Sequence, residues 1–242
     1  MSVLIVTGGS RGIGAGIVRA AAAAGWKVAF SYREQAAAAE AMVAEIKAAG
    51  GVALAVQADT AEEPDVLRLF DAAAALGPVT GVVNNAGMVG PPGSVADLAT
   101  ADLRRVFDVN VIGAFFVARE AVRRMSTARG GGGGAIVNIG SVAATLGGAG
   151  ELVSYAATKG AIVSMTIGLA KEVAREGIRV NCLSPGLIET DMNPGPRLER
   201  LVPMVPMGRV GQVEEIASVA LFLLSPASSY MIGTNVVVSG GR

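Results

Sequence analysis

The sequence predicts an α/β protein with a doubly wound parallel sheet. Short, continuously apolar runs alternate with longer stretches rich in Ala, Glu, Arg and Leu along the 242 residues. Continuous apolarity is typical of strands that helices cover on both faces, and alternation of strand and helix is typical of a parallel sheet. The runs that predict strands are Val3–Val6, Val28–Phe30, Ala53–Val56, Gly81–Val83, Ala135–Ile139, Arg179–Leu183 and Asn235–Val238.

The stretches between these runs predict the helices that flank the sheet. In repeated βαβ units, each helix carries the chain back to the start of the next parallel strand. The helical stretches include Gln35–Ala49, Glu62–Leu76, Leu103–Met125 and Tyr155–Arg175.

No shift in composition marks a domain boundary, so residues 1–242 are predicted to form a single domain. Gly130–Gly134 is too short for an interdomain linker, and we interpret it as a flexible turn between a helix and a strand. Residues 189–211 differ from the rest because they hold four prolines and three methionines, with few strand or helix signals. We expect this segment to be a mobile flap.

The composition excludes several classes of protein. Twenty basic and twenty acidic residues give a formal net charge of zero, so no broad attraction to nucleic acid or to an anionic membrane is expected. The chain contains no histidine, which excludes a Ser-His-Asp triad, a histidine-ligated metal and a histidine general base. The one cysteine, Cys182, allows no intrachain disulfide and is expected to be a small core residue.

The amino terminus and the short apolar runs predict a cytoplasmic protein. The chain enters the strand Val3–Val6 without a basic leader or a cleavage-like segment. The longest strongly apolar runs, such as Val219–Leu224, are far shorter than the ~20 residues that a membrane-spanning helix needs. We therefore expect no membrane partner.

A glycine-rich turn follows the first strand and precedes an Ala-rich helix. Glycines at such a turn let the backbone approach a pyrophosphate, which then lies on the helix amino terminus. The G-x-x-x-G-x-G spacing differs from the G-x-G-x-x-G of the general dinucleotide fingerprint. A tight turn that needs glycine only for packing therefore stays open, but the strand–helix context favours a Rossmann-type dinucleotide site. The turn reads Thr7-Gly8-Gly9-Ser10-Arg11-Gly12-Ile13-Gly14.

The end of the second strand indicates which dinucleotide is bound. An acidic side chain there binds the 2′-hydroxyl of NAD, whereas arginine favours the 2′-phosphate of NADP. The register that we prefer places Tyr32 at the acidic position and Arg33 just after it. Arg11 in the glycine turn is a second cation for the same phosphate. A register shifted by two residues would let Glu34 bind NAD instead, so NADP(H) is expected and NAD(H) is the alternative.

The pair Tyr155 and Lys159 indicates acid–base chemistry. Residues four apart lie on the same face of a helix. A free tyrosine has a pKa of about 10, and a nearby ammonium, together with the positive nicotinamide of an oxidised cofactor, favours the phenolate and lowers that pKa. Such pairs also line ordinary helix surfaces, so the spacing alone does not decide between the two readings.

Further polar residues lie near predicted strand ends, where ligands gather in an open α/β sheet. Ser141 follows the strand Ala135–Ile139, and residues 84–87, Asn-Asn-Ala-Gly, follow another strand. Asn110 lies inside the predicted helix Leu103–Met125, where an amide competes with helical hydrogen bonding. Taken singly, Ser141 also fits a turn residue and Asn110 a local kink.

Together these motifs resemble the short-chain dehydrogenases/reductases over essentially the whole chain. Several motifs in the same order make the match far more specific than any one of them. Within the family the chain looks closest to glucose and other sugar dehydrogenases and to 3-oxoacyl-(acyl carrier protein) reductases, and it lacks the longer Tyr-to-Lys gap of enoyl reductases. The matching residues are Thr7-Gly8-x-x-x-Gly12-x-Gly14, Asp59, Asn84-Asn85-Ala86-Gly87, Asn110, Ser141, Tyr155-x-x-x-Lys159 and Pro185-Gly186.

The resemblance implies a role for each of these residues. Tyr155 would be the general acid in reduction and the base in oxidation, while Ser141 would orient the carbonyl. Asn110 would hold a water of the proton relay, and Lys159 would bind the nicotinamide ribose and lower the tyrosine pKa. No metal is implied. The implied cofactor-binding residues are Gly8, Ser10, Arg11, Gly12, Ile13, Gly14, Tyr32, Arg33, Asp59 (at the adenine), Asn84, Ala86, Gly87, Tyr155, Lys159, Pro185, Gly186, Ile188 and Thr190.

The resemblance also implies a sheet of seven parallel strands and a homotetramer. Gln212–Leu224 and the last strand look like its subunit-contact region. The predicted activity is hydride transfer between NADP(H) and a small-molecule alcohol or carbonyl. A non-catalytic NADP(H)-binding sensor or scaffold is the alternative, and a lyase or epimerase that uses NADP transiently is a third. Selectivity is expected from Glu151, Leu152 and the methionines of the 189–211 flap, whereas substrate and direction stay open.

Overall fold

The predicted parallel sheet is confirmed. The computed structural model describes residues 2–193 and 195–242. Each predicted strand lies within an observed one, and the first and last predicted strands coincide with those observed. The strands are β1 Val3–Val6, β2 Lys27–Tyr32, β3 Val52–Gln57, β4 Val79–Asn84, β5 Gly134–Ile139, β6 Ile178–Pro185 and β7 Asn235–Val238, and they form one sheet in the order β3-β2-β1-β4-β5-β6-β7.

Helices cover both faces of this sheet. The predicted helix Leu103–Met125 is interrupted by a π-helical turn at Asp108–Ile112. The α-helices are α1 Gly12–Ala23, α2 Ala36–Ala48, α3 Glu63–Ala74, α4 Thr100–Phe107, α5 Gly113–Met125, α6 Ala143–Leu146, α7 Val153–Val173, α8 Gly195–Leu201 and α9 Val213–Leu224.

Two hydrophobic cores, one on each face, explain the continuous apolarity of the strands. Leu4 and Val6 of β1 pack into the core shared with α1, α2 and α9. Val3 and Ile5 of the same strand pack into the core shared with α3, α5 and α7. All four side chains are fully buried, and each contributes about 1.5–3 kcal/mol relative to an exposed position. A polar residue at any of these positions would leave one of the two cores incomplete.

The carboxyl ends of β1 and β4 are tied together at the point where the strand order reverses. The hydroxyl Oγ1 of Thr7, which is fully buried, accepts hydrogen bonds from the backbone N–H groups of Asn85 and Ala86, each at 2.9 Å. The amide Nδ2 of Asn85 donates to the carbonyls of Thr7 and Gly8 at 2.8 and 3.0 Å. Because the chain leaves β1 and β4 in opposite directions along the sheet, a crevice opens here.

Residues 189–211, which carry few strand or helix signals, contain regular structure in part. They contain α8 and a 3₁₀ turn at Val202–Met204, and Ile188 forms a bridge to Gly211. Leu201 and Val205 pack on Leu187 in a small core of their own, so tertiary packing stabilises what the local sequence does not signal. The predicted mobility of the flap stays a prediction, and Pro194 lies outside the described residues.

The glycine run before β5 is more than a flexible turn. Gly134 has φ +149°, and a Cβ at this position would lie 2.1 Å from the carbonyl oxygen of Thr80. The neighbouring Gly133 has φ +76°, and its Cβ would lie 2.6 Å from the carbonyl oxygen of Gly177. Glycine is therefore required here by close backbone approach rather than by flexibility.

Replacing Thr7 with Val tests the link between β1 and β4. Valine keeps the shape of threonine but leaves the N–H groups of Asn85 and Ala86 without their acceptor. An unsatisfied buried donor costs about 1–3 kcal/mol, so we expect the free energy of unfolding to fall by about 2–4 kcal/mol in urea denaturation. Thr7→Ser, which keeps the hydroxyl, should lose about 1 kcal/mol or less. Equal stability of the two variants would contradict the role given to the hydroxyl.

Candidate active site

The carboxyl ends of β1 to β6 open into one cavity of about 930 Å³. It brings together most of the residues that the sequence selected, from the glycine turn to the Tyr155 and Lys159 pair. Asn84 and Asn110 are the two selected residues that do not line it. The selected residues that do are Gly8, Ser10, Arg11, Gly12, Ile13, Gly14, Tyr32, Arg33, Asp59, Ala86, Gly87, Ser141, Tyr155, Lys159, Pro185, Gly186, Ile188 and Thr190.

The turn after β1 brings its backbone close to neighbouring groups. The N–H of Gly8 donates to the Ser31 hydroxyl at 2.9 Å. A Cβ on Gly14 would lie 2.3 Å from the carbonyl oxygen of Gly8, and Gly12 has φ +54°. Because α1 begins at Gly12, its first backbone N–H groups have no helical partners and belong to residues that line the cavity. The glycines thus meet a packing demand and leave a binding surface for an anion. Ser31 was missed, although a hydroxyl inside an apolar strand was a usable signal.

Both registers considered from the sequence stay open at the end of β2, because Tyr32, Arg33 and Glu34 all line the cavity. Tyr32 is the last residue of the strand and Arg33 follows it at once. The Arg33 guanidinium pairs with the Glu34 carboxylate, and both side chains are largely exposed. Arg11 lines the same cavity and takes part in no ion pair within residues 2–193 and 195–242. Two arginines and one glutamate thus lie where the adenosine ribose is expected.

Asp59 follows β3 and lines the cavity, but its carboxylate already has protein partners. One oxygen accepts the backbone N–H of Ala61 at 3.0 Å, and the other accepts the Arg105 guanidinium. The N–H of Asp59 donates to the Asp65 carboxylate at 2.9 Å. These bonds hold the loop after β3 in place, whereas contact of Asp59 with an adenine stays a prediction.

Asn84 does not reach the cavity. Its side chain is 6% exposed, and its amide Nδ2 donates to the carbonyl of Ala114 at 2.9 Å. The next residue, Asn85, lines the cavity instead. Side chains alternate between the two faces of a strand, so of two adjacent asparagines one points into the core. Asn84 therefore anchors α5, and its predicted contact with the cofactor stays a prediction.

Asn110 occupies the π-helical turn between α4 and α5 and clamps two neighbours. Its Oδ1 accepts the N–H of Met88, and its Nδ2 donates to the carbonyl of Met88, both at 2.8 Å. The same Nδ2 donates to the Thr158 hydroxyl at 3.0 Å. Both amide protons are therefore used within the protein. The helix departs from α-helical geometry at Asn110, and the water that the resemblance places there stays a prediction.

Thr158 was missed by the sequence analysis and connects this clamp to the catalytic helix. Its hydroxyl accepts from Asn110 and donates to the carbonyl of Tyr155 at 2.7 Å. A threonine inside a helix commonly bonds the backbone one turn earlier, so the residue carried no distinctive signal. Its effect is to join the loop after β4 to the turn of α7 that carries Tyr155.

Lys159 lies one helical turn after Tyr155, as the four-residue spacing predicts. Its side chain is 5% exposed, and its Nζ lies 5.7 Å from the centre of the Tyr155 ring. Nζ donates to the carbonyl of Ile139 at 2.8 Å. Burial lowers the pKa of Lys159 from 10.5 to about 8, and the nearby Cys182 opposes this weakly.

Burial dominates the acidity of Tyr155. It raises the pKa of the phenol above its usual value of 10.0, while the Ser141 hydroxyl and the positive charge of Arg197 lower it. The sequence analysis expected Lys159 to lower this pKa, but the protein alone places the phenol in surroundings that favour the neutral form. Ser141 follows β5 as predicted, and its Oγ accepts the N–H of Ala143 at 3.1 Å.

No metal site is indicated in the described part of the chain, because no three His, Cys, Asp or Glu side chains are grouped there. None of the described helices is both long enough and apolar enough to cross a membrane.

Lys159→Met tests how much the burial of the Lys159 ammonium lowers the free energy of unfolding. The folded-state pKa is lowered, so the charged form destabilises the fold below about pH 8, and this penalty fades as the pH rises toward 10.5. We expect the variant to be more stable than the wild type at pH 7 by about 1–3 kcal/mol in urea denaturation, with the difference narrowing toward pH 10.5. Lys171→Met, at an exposed position of α7, should show no such dependence. A variant that is less stable at every pH would contradict this account.

Comparisons with known proteins agree with the site. Residues 8–242 match the family described as enoyl-(acyl carrier protein) reductase. The chain is 44% identical to an uncharacterised oxidoreductase, YgfF, of Escherichia coli over all of both chains, and 37% identical to a 3-oxoacyl-(acyl carrier protein) reductase of Synechocystis over 99% of this chain and 96% of that one. It is similar in structure to a blue fluorescent protein from a metagenomic library in complex with NADPH, with TM-score 0.92 and 40% identity over 99% and 97% of the two chains. The chain therefore belongs to the short-chain dehydrogenase/reductase family of oxidoreductases.

Proposed function

We propose that this oxidoreductase uses NADP(H) to interconvert an alcohol and a carbonyl compound, with Tyr155 as general acid and base. The observation that carries the proposal is the meeting of Ser141, Tyr155 and Lys159 with the glycine turn in one cavity. A cavity of about 930 Å³ has room for a dinucleotide arm and a small substrate.

The residues at the cofactor end fit a dinucleotide. The amino terminus of α1 offers unpaired N–H groups and a positive helix end to a pyrophosphate. Arg11 and Arg33 suit a 2′-phosphate, which a guanidinium binds with two parallel hydrogen bonds. The 40% identical protein whose structure was determined with NADPH supports the same cofactor here.

Bound NADPH would supply the hydride that reduces the carbonyl carbon. Ser141 would donate a hydrogen bond to the carbonyl oxygen and hold it beside the phenol of Tyr155. Tyr155 would give its proton to that oxygen as negative charge develops there, and it would take the proton back in the oxidative direction. An ammonium has three donors and Ile139 takes one, so Lys159 keeps two for the hydroxyls of the nicotinamide ribose.

Two alternatives have less support. A non-catalytic sensor or scaffold has no need for Ser141, Tyr155 and Lys159 together in one cavity. A lyase or epimerase would use the same cofactor site but needs a substrate that is oxidised and then reduced again in place. The comparisons include a named 3-oxoacyl reductase and oxidoreductases, which favours simple carbonyl reduction.

A homotetramer stays part of the proposal. Phe222 of α9, Val237 of β7 and Tyr230 between them are exposed, Tyr230 completely. Exposed apolar residues along α9 and β7 support the expectation that another copy of the chain covers this region. A cytoplasmic location is likewise proposed from the sequence.

Tyr155→Phe tests the acid–base role. Removing the hydroxyl should lower kcat by about 10²–10⁴, the usual contribution of a positioned acid, while the Kd for NADPH changes by less than about twofold. The measurement is consumption of NADPH against ketones, aldehydes, quinones and 3-oxoacyl thioesters, with sugar oxidation assayed in parallel. Tyr230→Phe, at an exposed position outside the cavity, serves as the control and should keep wild-type rates.

Unchanged turnover in Tyr155→Phe would show that another group transfers the proton. Binding of NADPH by the wild type without turnover of any compound in this series would favour the sensor. Conversion of one epimer into another without net consumption of cofactor would favour the epimerase.

Arg33→Ala and Arg11→Ala test the choice of cofactor. Each removes a charged partner of the 2′-phosphate, so we expect the Kd for NADPH to rise about 10–100-fold while the Kd for NADH changes by less than about twofold. Glu34→Gln frees Arg33 from its ion pair and should tighten NADPH binding. Titration of intrinsic or cofactor fluorescence measures all three. Weaker NADH binding in Glu34→Gln would instead support the shifted register, in which Glu34 binds the ribose of NAD.

A further inference from the structure

An arginine at the flap side of the cavity lacks a partner. Arg197 of α8 lines the cavity, and its Nε is buried without a hydrogen-bond partner among residues 2–193 and 195–242. It belongs to none of the ion pairs of those residues. Among the described residues, the only other buried side-chain nitrogen or oxygen atom without a hydrogen-bond partner is Asn138 Oδ1. Asn138 does not line the cavity.

The Arg197 side chain is partly buried, and leaving its buried Nε without a partner is costly, since nearly all buried polar atoms in folded proteins are hydrogen-bonded. The neighbouring cavity arginine on the same helix differs in this respect. Arg200 pairs with Glu151 at 2.8 Å, and both residues line the cavity. Glu151 is thereby occupied, and Asp191, the other acidic residue of this part of the chain that lines the cavity, is exposed beside Thr190. The flap side of the cavity therefore holds a positive charge that no described carboxylate balances.

Arg197 also lies close to the reacting group. Its positive charge is one of the two influences that lower the pKa of Tyr155. Apolar side chains, among them Leu152 and Leu201, line the same part of the cavity. Ionic hydrogen bonds are stronger in such surroundings than in water, and the planar guanidinium matches a carboxylate with two parallel hydrogen bonds.

We propose that Arg197 determines specificity by binding the carboxylate of the substrate, so that the chain acts on free oxo acids and the corresponding hydroxy acids. This proposal rests on the proposed function. The carboxylate takes no part in the reaction: the hydride from NADPH forms the new C–H bond, and the proton from Tyr155 forms the O–H bond. Neutral sugars and thioesters lack a group that would pair with Arg197 near the carbonyl.

The test compares linear oxo acids that differ in the position of the keto group, each with its methyl ester. The ester keeps the carbonyl and the chain but removes the negative charge. In the wild type we expect kcat/KM to be about 10–100-fold higher for the best acid than for its ester, the worth of a charged hydrogen bond. Arg197→Met should lose this preference by lowering kcat/KM for the acid alone, with the ester and the Kd for NADPH changed by less than about threefold.

Arg200→Met is the matched control, since Arg200 lies on the same helix and lines the same cavity but is already paired with Glu151. Arg200→Met should keep most of the preference for the acid over the ester. Arg197→Lys keeps the positive charge, so it should retain part of the preference that Arg197→Met loses. A wild type that turns over acid and ester equally well, or an Arg197→Met variant that loses both equally, would overturn the proposal. Weaker NADPH binding in Arg197→Met would overturn it as well, by making Arg197 a cofactor ligand.

A binding measurement separates this proposal from the proposed function. An alkanoate of the same length as the best acid has no carbonyl to reduce, so its binding to the enzyme with NADP⁺ is measured by calorimetry without turnover. We expect Arg197→Met to raise the Kd of the alkanoate at least tenfold. No turnover of any acid or ester, together with this change in Kd, would refute the proposed function and leave the carboxylate site standing. Turnover of esters, without any effect of Arg197→Met on alkanoate binding, would refute the carboxylate site and leave the proposed function standing.

The pH dependence of the rate, which reports the pKa of Tyr155, provides a further test of Arg197. If Arg197 only supported the fold, replacing it would leave this pH dependence unchanged. Because the Arg197 charge lowers the pKa of Tyr155, Arg197→Met should shift the upper apparent pKa of the pH–rate profile upward, even with the ester. The Tm of the variant should match that of the wild type or exceed it, since the substitution removes a buried Nε that has no hydrogen-bond partner. A large drop in Tm without any shift of the pH profile would mean that Arg197 only supports the fold.

Discussion

The structure depends on the close approach of two backbone turns, the one after β1 and the one after β4. A single buried hydroxyl, that of Thr7, accepts two N–H groups of the opposite turn, and the Asn85 amide returns two bonds to the first. Gly14 has no room for a Cβ because the carbonyl of Gly8 and the amide of Asn85 lie against it. This packing sets where α1 begins, and with it where an anion can be bound. A change in any of these residues therefore affects the fold and the cofactor site together.

The same connection continues to Tyr155, the proposed general acid and base. The loop after β4 reaches Met88, whose N–H and carbonyl are both held by the Asn110 side chain. Asn110 also donates to Thr158, which in turn donates to the carbonyl of Tyr155. Hydrogen bonds thus run from the glycine turn through a π-helical turn to the catalytic helix. A π turn is a rare distortion that recurs at functional sites, and here its geometry lets the amide reach both neighbours.

Features set by local sequence could be predicted, whereas features set by distant packing could not. The strands were found because residues such as Leu4 and Ile5 must be apolar on both faces of the sheet. Helix α8 was missed because its stabilising contacts come from Leu187 and other residues outside the helix. Which of the two asparagines lines the cavity, Asn85 rather than Asn84, depends on how the side chains alternate at the end of β4, which the run of two asparagines leaves open. The direction of the Tyr155 pKa shift depends on burial, which spacing does not report.

Burial at the reaction centre has a consequence for the protonation state of Tyr155. A phenol whose pKa is held above 10.0 stays protonated at neutral pH, and the protonated phenol is the form that carbonyl reduction consumes. Oxidation needs the phenolate, which the protein alone disfavours and which a positive charge nearby must stabilise. Lys159 keeps most of its charge at neutral pH, because burial lowers its pKa only to about 8. The protein's own residues therefore hold Tyr155 in the protonated form, and the charge of an oxidised nicotinamide would favour the phenolate.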